Sequence, residues 1–187
     1  AALAIEPENA AHFARLVAES GALFGARHYR DYHFLLTLSE HVAHFGLEHH
    51  ESSDNRQPEH YLTDPEALKL SAELLPHEMV HSWNGKYRRP TGLATPHYHR
   101  PLQGELLWVY EGLTDYLGKV LTARCGLWSD ASFREAIALE AATLDYQKGR
   151  TWRPLVDTTV AAQILYGARP QGVARRREVD FYPEGDL

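Results

Sequence analysis

His77, Glu78 and His81 stand in the run HEMVH, a spacing suited to metal chemistry. On a helix, residues four apart lie on one face, so both imidazoles can reach a single cation. Zn²⁺ takes neutral imidazole nitrogen at about 2.0–2.1 Å and prefers a tetrahedral shell. Glu78 follows the first histidine directly and is placed to act as base on a water held at the metal. Zinc lowers the pKa of such a water toward roughly 7. Two ligands and a base on one helix are the core of a metallopeptidase site.

A catalytic zinc needs a third protein ligand and one open position. Glu111, in the run WVYEGLTDY, is the residue expected to supply it. Asp115 lies one turn further along the same helical face. It is expected to accept the spare ring N–H of a ligating histidine and so fix its tautomer.

These residues need a folded frame to hold them. At 187 residues the chain is long enough to bury a sizeable core as one domain. Its net charge of -6 and the lack of a broad basic bias argue against nucleic acid as a partner. Arg175-Arg176-Arg177 is the one dense basic spot and reads as a solvated loop. Cys125 is the sole cysteine, so no intrachain disulfide can form and the compartment stays open. No apolar run approaches the roughly 18–20 residues of a membrane span. The opening AALAIEPENA carries neither the basic nor the apolar region of a signal peptide.

Periodicity predicts a helix-rich α+β chain. Ala10 to Leu23 has helical apolar spacing, with Asn9 as a cap. Phe34 to Ser39 reads as a strand, and Phe45 to Ser52 as a second strand or an extended edge. Ser53 to Pro58 is polar and reads as a loop. Asp64-Pro65 predicts a helix start. That helix is expected to run to about Trp83 and stop at Asn84-Gly85, with a bend or a fresh start near Pro76. Arg88 to Pro101 reads as a loop, Glu105 to Leu121 as a helix with a wide apolar stripe, and Ser129 or Asp130 as the cap of another helix to about Gln147. Gly149 to Asp180 reads as irregular, with a short helix near Val160 to Leu165.

HEMVH followed by a helical E-x-x-x-D resembles the gluzincin peptidases, the thermolysin-like clan with two histidines and a glutamate on zinc. Within that clan the chain resembles the glycyl aminopeptidase family. The strings that carry this are GLEHHES (Gly46 to Ser52), LPHEMVHSWNGKYRRPTGLATP (Leu75 to Pro96), LLWVYEGLTDYLG (Leu106 to Gly118) and VDFYPEGDL (Val179 to Leu187). The resemblance implies a mostly helical thermolysin-like catalytic domain over residues 1–187, with a small strand region at its start. It also implies a β-rich domain before this one and a PDZ-like domain after it, neither of which the chain contains. One zinc ion per chain and a peptide substrate with a free N-terminus are expected, with glycine or alanine preferred there.

Two further residues follow. An aminopeptidase must bind an α-ammonium, and a carboxylate on a strand edge can do so by a charge-assisted hydrogen bond. GLEHH resembles the G-x-M-E-N strand of related zinc aminopeptidases, which makes Glu48 the expected anchor. His49 and His50 are left off the metal. FYPEG resembles the Y-x-K-G segment that carries an oxyanion tyrosine, with Glu184 in place of lysine, so Tyr182 is the expected oxyanion donor. Its place near the chain end predicts disorder. A thermolysin-like endopeptidase and a folded but inactive metal-binding domain are the alternative functions.

Overall fold

The computed structural model describes residues 4–165 and 180–187. Helix α1 (Pro7–Phe24) begins with Pro7 in its first turn, where a missing N–H removes no helix bond. The expected start at Ala10 with an Asn9 cap is corrected. Glu6 holds the cap position without a side-chain bond, and Asn9 lies inside the helix. Gly25 closes α1 in the left-handed region at φ 69°, a conformation that favours glycine.

Strands β1 (His33–Leu38), β2 (Phe45–Glu48) and β3 (Ser52–Gln57) form one sheet among the described residues, in the order β1–β3–β2. β3 is parallel to β1 and antiparallel to β2. This corrects the loop expected at Ser53 to Pro58, because that polar segment is the central strand. Ser53, Asn55 and Gln57 are buried on one face. The Asn55 amide donates to the Ser53 hydroxyl at 2.9 Å and to the Ser53 carbonyl at 3.0 Å. Short polar side chains that bond locally can be buried at little cost, and backbone pairing on both edges outweighs poor strand propensity. β2 stops at Glu48, so His49 and His50 occupy a turn and strand alternation does not govern them.

Helix α2 (Pro65–Leu70) is capped as expected, with the Asp64 carboxylate accepting from Glu66 N–H at 2.9 Å. The helix does not continue through HEMVH. A turn intervenes, and α3 (Leu74–Val80) starts afresh with Pro76 in its first turn. A proline there clashes with no preceding helical turn. Helix α4 (Leu107–Cys125) follows a 3₁₀ turn at Gly104–Leu106. α5 (Asp130–Tyr146) takes its cap from Ser129, whose hydroxyl accepts from Ser132 N–H at 3.1 Å. α6 (Leu155–Leu165) begins five residues earlier than expected. α7 (Phe181–Asp186) replaces the disorder expected there. Arg175-Arg176-Arg177 lies outside the described residues.

The chain divides into two compact units, Ala1–Tyr87 with Leu117–Phe133, and Arg88–Tyr116 with Arg134–Leu187. In the first, Leu16 of α1, Met79 and Val80 of α3, Trp83, and Leu121 and Cys125 of α4 form a buried cluster. Each large aliphatic side chain there contributes about 1.5–3 kcal/mol by burial. A second cluster joins Tyr61, Leu62, Leu68 and Leu75 to the sheet residues Phe34, Leu36 and Leu38. In the second unit α4 and α7 meet glycine to glycine. A Cβ on Gly112 would lie 2.4 Å from Gly185 Cα, so only glycine admits that approach. No described helix is long and apolar enough to cross a membrane.

Candidate metal centre and active site

The first unit brings His77, Glu78 and His81 together on α3 and its C-cap. His77 Nε2 and His81 Nε2 are 3.1 Å apart, with ring planes crossed at 81°. Two nitrogens bound to one tetrahedral zinc stand about 3.3 Å apart, so the pair suits a shared cation. The His81 ring donates from Nδ1 to the Asn84 carbonyl at 3.0 Å. That bond places the proton on Nδ1 and turns a lone pair on Nε2 toward His77. Asn84 therefore does for His81 what was expected of Asp115. The link comes from the turn after α3, and its acceptor is a backbone carbonyl, which every residue type carries, so sequence gives no signal for it.

Glu78 is 5% exposed and His81 2% exposed, although both are polar. The Tyr32 hydroxyl donates to the Glu78 backbone carbonyl at 3.2 Å. Burial raises the Tyr32 phenol well above its ordinary range, and the nearby Glu78 and Glu48 carboxylates raise it further. Tyr32 thus remains a neutral donor. Strand β2 lies directly against the glutamate. A Cβ added at Gly46 would fall 2.1 Å from Glu78 Oε1. Two residues on, Glu48 forms an ion pair with Lys86 at 3.0 Å, both side chains 17% exposed. Sequence reading missed Gly46, Lys86 and Tyr32. The glycine of GLEHH was the one legible sign, as an isolated strand glycine marks a close approach.

His28 flanks this region. Its Nε2–H donates to the Ser82 hydroxyl at 2.8 Å, and that hydroxyl donates to the His50 carbonyl. Its ring stacks on Tyr87 at 4.8 Å. Burial is the main cause that lowers the His28 pKa, so the ring stays neutral. His50 is therefore tied to the site through its backbone.

α4 positions the acids. A Cβ at Gly118 would meet His77 Cα at 3.0 Å, so α4 rests on the histidine backbone at that point. Glu111 lies seven residues earlier, two turns back on nearly the same face and about 10.5 Å along the axis. Glu111 stands on the part of α4 that belongs to the second unit. Asp115, Glu140 and Asp186 form an acidic group, with ligand atoms within 4.8 Å of one another. Tyr182 is half-buried on α7 and stacks on the buried Phe181 at 4.9 Å.

Residues 71–187, more than half of the chain, match the family model described as M61 glycyl aminopeptidase. The chain belongs to the M61 glycyl aminopeptidase family. The matched M61 span contains HEMVH, Glu111, Asp115 and Tyr182 but not Glu48. A crystal structure of an aminopeptidase N family protein from Idiomarina loihiensis has a similar fold, with a TM-score of 0.85 at 21% identity. The likeness covers 95% of this M61 chain and 31% of that one, so the chain spans about a third of that neighbour's length. No curated protein matches the chain.

Proposed function

We propose that this chain carries the catalytic centre of a zinc-dependent aminopeptidase that removes small N-terminal residues, glycine or alanine, from peptides, on a thermolysin-like frame. The observation that carries the reading is the pair of imidazole nitrogens 3.1 Å apart beside a buried glutamate. His77, His81 and Glu111 would hold the zinc. Bound there, the ion supplies Lewis acidity, which acidifies water and polarises a carbonyl. Glu78 takes the proton of the attacking water and delivers it to the leaving amine. Asn84 fixes His81, and His77 is the histidine left for Asp115 to orient.

Glu48 anchors the substrate's ammonium beside the base. Gly46 supports this, since its strand backbone touches Glu78 two residues away. The incoming ammonium shares the Glu48 carboxylate with Lys86, so recognition is an exchange between two cations. Tyr182 donates to the developing oxyanion from α7. The test compares parent and Glu78→Gln in the full-length protein. The parent should hold one zinc and cleave an alanyl chromogenic substrate while leaving its acetyl-blocked counterpart intact. The variant should keep zinc and lose at least about a hundredfold in turnover. Equal cleavage of blocked peptide would make the protein an endopeptidase, and a fully active variant would remove Glu78 as base.

A further inference from the structure

Lys86 is a cation set against the carboxylate proposed to anchor the substrate, and both residues belong to the first unit. Its Nζ lies 3.0 Å from Glu48 Oε1, and each side chain is 17% exposed. A pair covered to that degree is screened less than a surface pair, yet it stays within reach of a cation from solvent. Glu48 ends β2, where its backbone pairs opposite Ser53. The next N–H, of His49, donates to the Ser52 carbonyl at 2.8 Å. Lys86 follows Gly85, whose φ of 135° favours glycine. The Lys86 N–H donates to the His81 carbonyl at 2.9 Å, and the Tyr87 N–H donates to the Ser82 carbonyl at 3.1 Å.

Both backbones are thus fixed, and the pair opens or closes by side-chain motion alone. A lysine carries a compact point charge on a flexible four-carbon stem. It can withdraw from Glu48 and come back while the turn stays as it is. Because it is tethered, its effective concentration at the carboxylate does not fall when substrate is scarce. Every ammonium that reaches Glu48 therefore competes with a cation that never leaves the neighbourhood. A resident pair favoured ten to one weakens the apparent affinity of a competitor about tenfold. That penalty falls equally on the peptide that arrives and on the amino acid that is released. The peptide has more contacts to offset it, whereas an amine with nothing but its charge has none.

We infer that Lys86 is a specificity-determining residue, which holds Glu48 between turnovers, yields it to the peptide's ammonium and reclaims it from the released amino acid. This rests on the anchoring role proposed for Glu48. Lys86 then keeps simple amines out of the anchor and limits inhibition by the product.

The experiment uses the full-length, zinc-loaded protein with an alanyl chromogenic substrate, and propylamine as the probe of the anchor. Propylamine should inhibit the parent weakly and competitively, and its N-acetyl derivative should not inhibit. Lys86→Met should lower the inhibition constants of propylamine and of free alanine at least about tenfold, and KM should fall with them. Lys86→Arg should raise the same constants, because a guanidinium grips a carboxylate bidentately. Opposite signs in the two variants separate competition from general damage, which moves both one way. If Lys86→Met leaves the constants unchanged or raises them while Glu48→Gln abolishes inhibition by the amine, the inference is overturned and the anchor stands. If Glu48→Gln leaves amine inhibition at the parental level, the anchor reading falls, and the role of Lys86 falls with it. Lys86→Gln serves the same test should Lys86→Met not fold.

Discussion

At the scale of single residues, the chemistry depends on groups that do not react. Glu78 is confined by a glycine on a neighbouring strand, and the three atoms nearest the Gly46 Cβ position all belong to the Glu78 side chain. Gly46→Ala should therefore displace the base while leaving the sheet paired. A shift of about 1 Å in a reacting group can cost a hundredfold. The expected outcome is a kcat at least tenfold lower at near-constant zinc content, read by steady-state kinetics and metal analysis. HEMVH and the Glu111–Asp115 pair were legible because helical spacing places residues three and four apart on one face. The Asn84 carbonyl, Lys86 and Arg150 were not. Their partners are set by where the chain turns, and a backbone acceptor or a lone basic residue has no sequence signature.

Elements succeed or fail here by their ends and neighbours. Asp64-Pro65 announces α2 because a side-chain acceptor and a fixed φ satisfy a helix start locally. Asp64→Ala should cost about 1 kcal/mol of stability, measured as a lower denaturant midpoint with an unchanged slope. The restart at α3 follows from Pro76, which can stand in a first turn but not deeper. β3 shows the opposite situation. SSDNRQ has no apolar alternation, so nothing local marks it as a strand. Only its two partners and the Asn55–Ser53 bonds make burial tolerable, and these lie in tertiary structure. α7 was missed for a similar reason: six residues are too few for periodicity, and its order comes from the pairing of Arg150 with Asp180 and Glu184 and from the Gly112–Gly185 approach.

For the molecule as a whole, the proposed zinc ligands come from α3 with its C-cap and from α4, which begins 27 residues downstream of the last α3 residue. A metal that binds only the folded state stabilises it by mass action. Thermal unfolding of the zinc-loaded and chelated protein should therefore differ, with zinc at about 100 times its dissociation constant contributing about 2.7 kcal/mol. Identical transitions would argue against a metal held by the folded chain. The amino-acid sequence by itself determined the helix-rich α+β class, the zinc-type motif and the helix that carries Glu111. Each of these is written in local spacing, which the geometry of one helix converts directly into a shared face. Tertiary structure alone decided that a polar segment is the central strand, that Gly46 presses on the base, that Lys86 meets Glu48, and that Arg150 pairs with Asp180 and Glu184 at the last described helix. Those outcomes join residues far apart in the chain, and their energies arise only when packing removes water from both partners at once.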